Sequence, residues 1–566
     1  MDHVEILKGP SGLFIGTGSP AGSVNMRLKQ ADRVDPGGYI TATANSFGSA
    51  RFEGDIGGAL NADGTVRGRA VLAYGDGDGA IDKQKNGVKQ LYGALAWDIS
   101  PSTTATFSVS HMERDIAPYN GLPTYSDGTL LWLDADTTTA ADWNTFSNSV
   151  TDAIVAVEHE FDTGARVKFS LRDSQQDTDF LYAYASSAAA ADNTVNGLRW
   201  LARDFSQESL AVDAHAELPF TLGTWDATAI VGVDAQKTTA TTYQDRGQIS
   251  GTYDLDNWDV SGVAKPNVDY FGSSTATRTR TETTSTGVYG QLRVKPTQAL
   301  TVIGGARLSW YDSDSTNLIT NTTTNSSENG HVTPFAGVTY DVTPSTTIYA
   351  SYSEIFQPQT DLDINGKTLD PLEGQQFELG VKAELAYGVN VSAAAYQLEQ
   401  VNRALSSTDG SYSIAQGEIR VRGIELEAAG EIGPNLHLSG GYTYAQSEYL
   451  NGPDEGDVFS TYTPRNILKL SLMYDVPQGA LEGWSFGGHL RAMSGFSSVS
   501  QGITINAPGY GLVDLTAKKT LTNGVDLQFG VDNVLDKAYY SRVGGTSVFN
   551  FRGEERSYSI AMTKRF

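Results

Sequence analysis

The amino-acid sequence predicts an all-β protein, an antiparallel transmembrane β-barrel of about 22 strands, an even number as bacterial single-chain barrels have. Apolar and polar residues alternate with a period of two from about residue 38 to the C-terminus, for example in residues 377–385 and 525–532. These segments are about ten residues long, the length of a tilted strand that crosses a bilayer. No 3.6-residue apolar stripe of useful length competes with this pattern.

The connections between the segments favour a barrel over a sandwich or propeller. Short turns rich in Asn, Gly and Pro, such as residues 162–164 and 433–435, alternate with long polar excursions. A transmembrane barrel sorts its connections in this way, with tight periplasmic turns at one rim and long extracellular loops at the other. The long excursions are predicted at residues 115–149, 178–205, 239–284, 311–331, 354–375, 447–462, 494–510 and 536–556.

Composition excludes several classes of protein. The 566 residues contain no run of eighteen apolar residues, which argues against a helical membrane protein. The absence of cysteine removes disulfides, thiolate nucleophiles and thiolate metal sites. The net charge of −26 argues against duplex nucleic acid as a partner. Acidic residues concentrate in the predicted loops, where solvated surface charge is the preferred interpretation and divalent-cation binding near lipopolysaccharide is the alternative.

The first thirty residues form a predicted strand–turn–strand unit. Residues 4–12 read as a short strand that enters a turn, a glycine-rich loop follows, and residues 24–28 resume a strand. No basic, apolar signal sequence precedes this unit. We therefore expect that the chain as given lacks its beginning.

This opening unit resembles the last part of the plug domain of TonB-dependent outer-membrane receptors. The resemblance implies that residues 1–34 are a C-terminal plug fragment and that residues 35–566 are the barrel. The plug-motif residues that match in type and order are Gly9, Pro10, Gly16, Gly18, Pro20, Gly22 and Asn25.

The barrel region extends the resemblance over essentially the whole remaining chain, through residues 349–358, 369–380, 422–427 and 531–536. Within the long loop 115–149, Gly121–Tyr125 and Ala141–Asn144 are similar to the ferric-siderophore subgroup, especially receptors for coprogen-like and other hydroxamate siderophores. The resemblance implies a Gram-negative outer-membrane importer, not an enzyme. Its implied partners are a ferric siderophore, the TonB–ExbB–ExbD complex, and outer-membrane lipid and lipopolysaccharide.

The sequence departs from the family pattern at its plug. Many siderophore receptors carry Tyr before the glycine of the plug apex, where this chain has Ile15. A signal peptide, a TonB-binding box and most of the plug have no counterpart. We therefore expect the chain as given to be uncoupled from TonB.

The last strand ends in an aromatic residue and resembles the signal that the barrel assembly machinery recognises. The predicted signal consists of Tyr558, Ile560, Met562 and Phe566.

Ligand capture is predicted to use aromatic residues of long loops and strand tops, because rings supply contact area at small entropic cost. No cofactor or direct metal ligand is expected, since iron would arrive already chelated by the siderophore. Residues 360–366 imitate the start of a calcium loop, but Leu372 occupies the closing carboxylate position, so a turn is preferred. The predicted ligand-binding residues are Phe14, Ile15, Tyr182, Tyr184, Trp200, Tyr243, Trp258, Tyr270, Phe271, Trp310, Tyr311 and Phe356.

Three alternatives stay open at this point. The chain could form a passive outer-membrane pore, because little plug fills the lumen. It could belong to a TonB-dependent importer of another ligand, such as cobalamin or a glycan. It could also be a soluble all-β surface protein or glycan-processing enzyme.

Overall fold

The computed structural model describes residues 2–407, 410–522 and 524–566. Within these residues, 22 strands form one closed antiparallel barrel. The predicted fold class is therefore confirmed. Closure pairs the strand edges with one another, which a β protein in lipid requires. In the same described ranges, no helix is long and apolar enough to cross a membrane.

The described elements are, in chain order, β1 His3–Lys8, α1 Gly12–Ile15, β2 Gly22–Arg27, β3 Gly37–Asn45, β4 Ala50–Ala59, β5 Val66–Asp76, β6 Asn86–Ser100, β7 Thr103–Ile116, β8 Thr145–Glu160, β9 Arg166–Ala185, β10 Thr194–Leu222, β11 Trp225–Asp254, a 3₁₀ turn Val260–Gly262, β12 Thr277–Lys295, β13 Leu300–Asn317, β14 Thr322–Thr343, β15 Thr346–Gln357, β16 Leu372–Glu384, a second 3₁₀ turn Ala386–Gly388, β17 Asn390–Ser406, β18 Ser413–Gly433, β19 Leu436–Tyr449, β20 Asn466–Asp475, β21 Trp484–Met493, β22 Phe496–Ser500, β23 Ile503–Ala507, β24 Tyr510–Thr520, β25 Val525–Asp532, β26 Tyr540–Arg542, β27 Phe551–Arg552 and β28 Ser557–Arg565.

The barrel consists of β3 to β21 in sequence order, followed by β24, β25 and β28. The last strand, β28, closes the barrel by pairing with β3, with Ile560 opposite Ala44 and Met562 opposite Ala42. The pairs β1–β2, β22–β23 and β26–β27 form separate hairpins. β22–β23 and β26–β27 lie within long connections. The barrel strands that flank them, β21 with β24 and β25 with β28, pair directly with each other.

Exposed apolar side chains mark the lipid-facing side of the wall. Phe169 and Leu171 on β9 and Val231 and Val233 on β11 are all exposed and occupy alternate positions of their strands. Because successive side chains point to opposite faces, the intervening residues face the lumen. Tyr558, Ile560 and Met562 lie on the exposed row of β28. Their recognition, with Phe566, by the assembly machinery stays a prediction.

Several strands on one side of the barrel are longer than the sequence pattern indicated. β10 has 29 residues and β11 has 30. The predicted loops 178–205, 239–284 and 311–331 are therefore wrong over much of their length, because β9 to β14 continue through parts of them. Above the membrane both faces of a strand meet water or polar groups, so period-two apolar alternation ends before the strand does.

Residues 2–34, here called the lumen segment, cross the interior of the barrel. At one wall, Lys8 Nζ lies 2.5 Å from a Glu425 oxygen and 2.7 Å from a Glu427 oxygen on β18. At another wall, Lys29 Nζ lies 2.7 Å from Asp55 on β4, which also receives Arg69 at 2.8 Å. Polar and charged contacts therefore attach this segment to the barrel. The predicted boundary between residues 34 and 35 stays a prediction.

Four long connections at the opposite rim from the short turns pack together, and we call them the loop layer: residues 117–144, 186–193, 255–276 and 533–556. Thr124 joins two of the other connections, since its amide donates to Thr546 O and its carbonyl accepts from Ala189 N, both at 2.8 Å. The Trp143 indole donates to Val263 O at 2.9 Å, and the Trp258 indole donates to Ala140 O at 2.7 Å. An apolar cluster lies between these connections and the tops of β9 to β11.

Candidate ligand-binding site

The apex of the lumen segment is the turn formed by α1 and Gly16. α1 ends because Gly16 adopts φ +74° and ψ −87°, and the Thr17 amide donates to Ile15 O at 3.0 Å. This is a classic γ-turn, a rare and strained conformation that glycine tolerates best. Phe14 is 52% exposed and Ile15 is 47% exposed. The apex therefore presents two apolar side chains to open space.

A buried arginine holds the apex from the barrel side. The Arg307 guanidinium is 1% exposed and pairs with Asp234 through two contacts of 2.5 and 2.8 Å. A Cβ on Gly16 would lie 2.8 Å from Arg307 Nε, so only glycine permits this close approach. The bidentate pair fixes both the position and the plane of the guanidinium.

An aromatic contact supports the other side of the apex. The Phe14 ring packs edge-on against Tyr289 on β12, with centroids 5.7 Å apart. The Tyr289 hydroxyl in turn donates to Asp213 on β10 at 2.7 Å. Sequence reasoning missed Arg307, Asp234, Tyr289 and Asp213. Each of these charged or phenolic residues lies between apolar, lipid-facing neighbours on its strand, and that position was the sequence signal that could have identified it as lumen-facing.

The remaining plug-motif residues shape the segment on either side of the apex. The Gly18 amide donates to Phe356 O at 3.1 Å, and the Gly9 amide donates to Ala21 O at 3.1 Å. Pro20 packs against Gly374 on β16. Asn25 Nδ2 donates to Glu5 at 2.7 Å across the β1–β2 hairpin.

Lumen-facing rings form a row on β9. Tyr182 lies eleven positions from the lipid-facing Leu171 on the uninterrupted strand β9, so it faces the lumen. Its ring lies 5.3 Å from Phe180 and 5.9 Å from Tyr184. Arg203 on β10 lies over Phe180 at 5.3 Å and donates to Gln244. The sequence predicted Tyr182 and Tyr184 as ligand-binding residues, but it did not predict Phe180 or the neighbouring Arg203.

A second group of predicted aromatics lies on the opposite face. Trp200 is paired with Ala183 and lies ten positions from the lipid-facing Leu210, so it shares the outer row of β10. Tyr243 lies ten positions from Val233 on β11 and also belongs to the outer row. The connection 255–276 covers this face, with Tyr270 and Phe271 at 6.4 and 5.7 Å from Tyr243.

Burial distinguishes the members of this outer group. Trp200 is buried, whereas Phe271 is 69% exposed. Trp258 packs on Tyr253 and donates to the loop backbone, which is a loop-packing role. Burial and the carboxylates of Asp179, Asp204 and Asp245 raise the pKa of Tyr270 to about 12, so its hydroxyl stays protonated at neutral pH.

The last three predicted residues are separated from one another. Trp310 lies on the outer row of β13, two positions from the exposed Leu308, and Tyr311 lies on the lumen-facing row. Phe356 is fully buried and its ring packs on His331 with centroids 4.2 Å apart. The structure therefore brings together Phe14 and Ile15 at the apex and Tyr182 and Tyr184 on the wall, but it does not collect all twelve predicted residues in one place.

Acidic groups in the loops do not form an evident metal site. Among residues 2–407, 410–522 and 524–566, no group of three or more His, Cys, Asp or Glu residues could hold a metal ion. In the segment that imitates a calcium loop, the Asp363 carboxylate accepts from the amides of Asn365 and Lys367, both at 2.8 Å. This arrangement closes a turn.

Comparison with known proteins identifies the family. Residues 73–534 match the family described as TonB dependent receptor-like, beta-barrel. The ferric-pyoverdine M114 receptor PbuA of Pseudomonas sp. (strain M114) is 30% identical, with 100% of this chain and 71% of the relative covered. The ferrichrome outer membrane transporter/phage receptor of Escherichia coli (strain K12) is 27% identical, with 100% and 79% covered.

Solved structures agree with the sequence relatives. The crystal structure of the ferripyoverdine receptor of the outer membrane of Pseudomonas aeruginosa, bound to ferripyoverdine, has a TM-score of 0.89 at 26% identity. The match covers 100% of this chain and 76% of the chain in that structure. Members of this family are transport receptors of the Gram-negative outer membrane, so the soluble-enzyme alternative is wrong. The chain belongs to the TonB-dependent receptors.

Proposed function

We propose that this receptor binds a ferric siderophore from outside the cell and takes part in its TonB-driven import. The observation that carries the proposal is similarity along the whole chain to receptors for ferric pyoverdine, ferrichrome and ferrioxamine B. Ferric hydroxamates are the ligand class that we propose, as residues 121–125 and 141–144 indicated. Iron is cargo here and arrives with its coordination complete.

The apex and the lumen-facing row are the surfaces that we assign to ligand contact. Phe14 and Ile15 supply exposed apolar area, and Tyr182 and Tyr184 supply rings with hydrogen-bonding hydroxyls. An aromatic, hydroxyl-bearing surface suits a chelate with an apolar body and an oxygen-rich periphery. The outer-face group around Trp200 and Tyr243 is assigned to loop packing instead.

Several partners form part of the same proposal. Energy would come from the TonB–ExbB–ExbD complex, and the exposed apolar belt would contact lipid and lipopolysaccharide. The row Tyr558, Ile560 and Met562, with Phe566, would be recognised by the barrel assembly machinery during insertion. No cofactor of the protein's own is required for this activity.

A binding experiment tests the ligand. The purified chain in detergent is titrated with ferrichrome, ferrioxamine B and ferripyoverdine, each with and without iron, and fluorescence quenching gives the Kd. We expect preferential binding of at least one ferric complex, weakened about tenfold or more in the double variant Tyr182→Ala, Tyr184→Ala. Phe271→Ala, an exposed aromatic on the outer face, is the matched control and should leave the Kd unchanged. Equal effects of the two variants would contradict the assigned surface.

Conductance separates an importer from a passive pore. The question of a pore arises because a cavity of about 960 Å³ lies beside Lys8 of the lumen segment and the strand ends near Pro344. In a planar bilayer, an importer whose lumen is occluded should give no steady conductance, whereas a passive pore should give a large one. Uptake that continues equally in cells without TonB would also favour the pore.

A further inference from the structure

Charge is divided between the two faces of the barrel wall above the membrane. Residues 174–184 of β9, 199–209 of β10, 238–248 of β11 and 277–283 of β12 pair side by side without a register shift, and we call them the upper wall. Because successive side chains alternate between the two faces of a strand, each position belongs either to the lumen face or to the outer row. Every acidic residue of the upper wall lies on the outer row: Asp177, Asp179, Asp204, Glu208, Asp245 and Glu282.

Side-chain contacts agree with this assignment. The Asp245 carboxylate accepts from the Asp269 amide at 3.1 Å and from the Thr275 hydroxyl at 2.8 Å, and both donors belong to the connection 255–276, which covers the outer face. On the lumen face, the hydroxyls of Ser209 and Thr238 lie 3.0 Å apart. The lumen face of the described upper wall therefore carries no carboxylate, although the chain as a whole has 66 acidic and only 40 basic residues.

Three arginines lie on this lumen face. Arg199 and Arg203 belong to β10, and Arg246 of β11 lies diagonally between them. Such diagonal neighbours are about 7–8 Å apart, so the three cations repel one another. In the part of the chain that the structure describes, none of the three forms an ion pair with a carboxylate. Arg172, lower on the lumen face of β9, by contrast pairs with Asp152 at 2.7 Å.

The arginines adjoin the lumen-facing row of rings. Arg203 is the strand partner of Phe180, and its guanidinium donates to the neutral side chain of Gln244 at 2.6 Å. Arg199 and Arg246 are exposed, so a ligand can reach them. Guanidinium groups bind carboxylates through two parallel hydrogen bonds, and aromatic rings contact apolar groups. The lumen face of the upper wall therefore offers uncompensated positive charge beside an aromatic surface.

We propose that Arg199, Arg203 and Arg246 form a binding site for the negatively charged groups of an anionic ferric chelate. Such a site depends on the proposed function and narrows its ligand class to hydroxamate-type chelates that also carry acidic groups, such as carboxylates. A neutral chelate would leave the three cations unmatched, and a cationic chelate would add to their repulsion. An array of like charges also attracts ligands of the opposite charge from a distance and raises their rate of association.

Ferrioxamine B provides a matched series of probes for ligand charge. Its ferric complex is cationic because of a terminal amine; acetylation of that amine makes the complex neutral, and succinylation makes it anionic. Each of the three ferric complexes is titrated by fluorescence quenching against the full chain in detergent at low salt. We expect the anionic complex to bind about tenfold more tightly than the cationic one, with the neutral complex between them. Added salt should diminish this preference.

Two double variants assign the charge effect to one face of the wall. The variant Arg199→Gln, Arg246→Gln removes two exposed arginines from the lumen face and should reduce the preference for the anionic complex at least about threefold. The control Arg278→Gln, Arg280→Gln removes the same charge from the outer row of β12 and should leave the preference unchanged. Equal losses in the two double variants would reveal a general effect of net charge and would overturn the proposal. Equal or tighter binding of the cationic complex by the unmodified chain would also overturn it.

A polyanion without iron separates failure of this site from failure of the proposed function. If no ferric complex binds, with ferrichrome and ferripyoverdine included, the proposed function fails, and the aromatic trisulfonate pyranine then tests the arginines directly. Pyranine binding that is weakened by the lumen-face variant but not by the β12 control would support an anion site at these arginines, whereas absence of pyranine binding would overturn it. Heat-modifiable migration on a gel verifies that each variant is folded.

Discussion

The lumen segment and the loop layer are both attached to the same barrel, but with a different balance of forces. The lumen segment is bound by ion pairs and hydrogen bonds, such as Lys8 with Glu425 and Lys29 with Asp55, together with a small apolar cluster around Ala31. The loop layer is bound through a fully buried apolar cluster that includes Leu131 and Leu198. The half-exposed contact of Lys8 can be exchanged for water at small net cost, whereas neither the buried pair of Lys29 with Asp55 nor the apolar cluster can. The difference suits the proposed import, in which the lumen segment would be displaced while the loop layer keeps its shape.

The largest expected effect concerns a strongly buried ionic attachment of the lumen segment. Asp55 is 2% exposed and receives both Lys29 and Arg69. Asp55→Asn would remove the carboxylate that Lys29 and Arg69 share and would leave Lys29 with the more distant Glu53, at 3.4 Å, so we expect the free energy of unfolding to fall by about 3–5 kcal/mol. Denaturant unfolding in detergent measures it.

Asp32 provides the matched control for Asp55. It lies 4.0 Å from the same Arg69 but is 72% exposed, so Asp32→Asn should change stability by less than about 1 kcal/mol. Similar losses in the two variants would show that burial does not determine the strength of this attachment.

The next effect concerns the apolar cluster of the loop layer. Leu131 is fully buried, and Leu131→Ala should cost about 2–4 kcal/mol locally by leaving a cavity. Limited proteolysis should then cut residues 117–144 faster, while the barrel stays intact. Leu535→Ala, at a 68% exposed position of the same layer, should leave the cleavage rate unchanged. A slower or unchanged rate in Leu131→Ala would contradict the apolar account of the loop layer.

A smaller effect is expected at the apex. Gly16→Ala would meet Arg307 and strain the γ-turn, so we expect a loss of about 2 kcal/mol confined to the apex. The Kd for the ferric complex should rise with it. Gly223→Ala separates the two causes, because Gly223 has φ +67° but open space around it. If both variants lose equally, backbone conformation alone accounts for the loss and the Arg307 contact contributes nothing.

Much of this comparison was predictable from sequence, and the failures have a physical cause. The alternation of apolar and polar residues within β25 and β16 predicted a transmembrane barrel, because lipid requires apolar side chains along one face of each strand. The apolar row ends at the membrane boundary, so the threonine-rich start of β12, residues 277–284, was predicted as loop. Once residues 178–205 were assigned to a loop, the face of Tyr182 and that of Trp200 could not be distinguished. Arg307 was not predicted as a site residue because its position is determined by the ion pair with Asp234, which lies 73 residues away in the sequence.

The smallest expected effect concerns the exposed attachment of the lumen segment. Lys8 is half exposed, so Lys8→Gln should cost less than about 1 kcal/mol. Burial lowers the pKa of Lys8, but Glu425 and Glu427 outweigh it and raise that pKa above its ordinary value. The ion pair therefore contributes fully below the unfolded lysine pKa of about 10.4 and is lost as pH rises through the higher folded value.

Hydrogen exchange of β1 and β2 measures this attachment without unfolding the barrel. Relative to the intrinsic base-catalysed rate of an unprotected amide, exchange in the wild-type chain should accelerate with salt and at strongly alkaline pH, and Lys8→Gln should remove both responses. Arg27→Gln is the control, because the ion pair of Arg27 with Glu5, at 3.7 Å, lies within the same hairpin. Salt-independent exchange in the wild-type chain would mean that backbone and packing contacts hold β1 in place, and the polar side of the comparison would then depend on Lys29 alone.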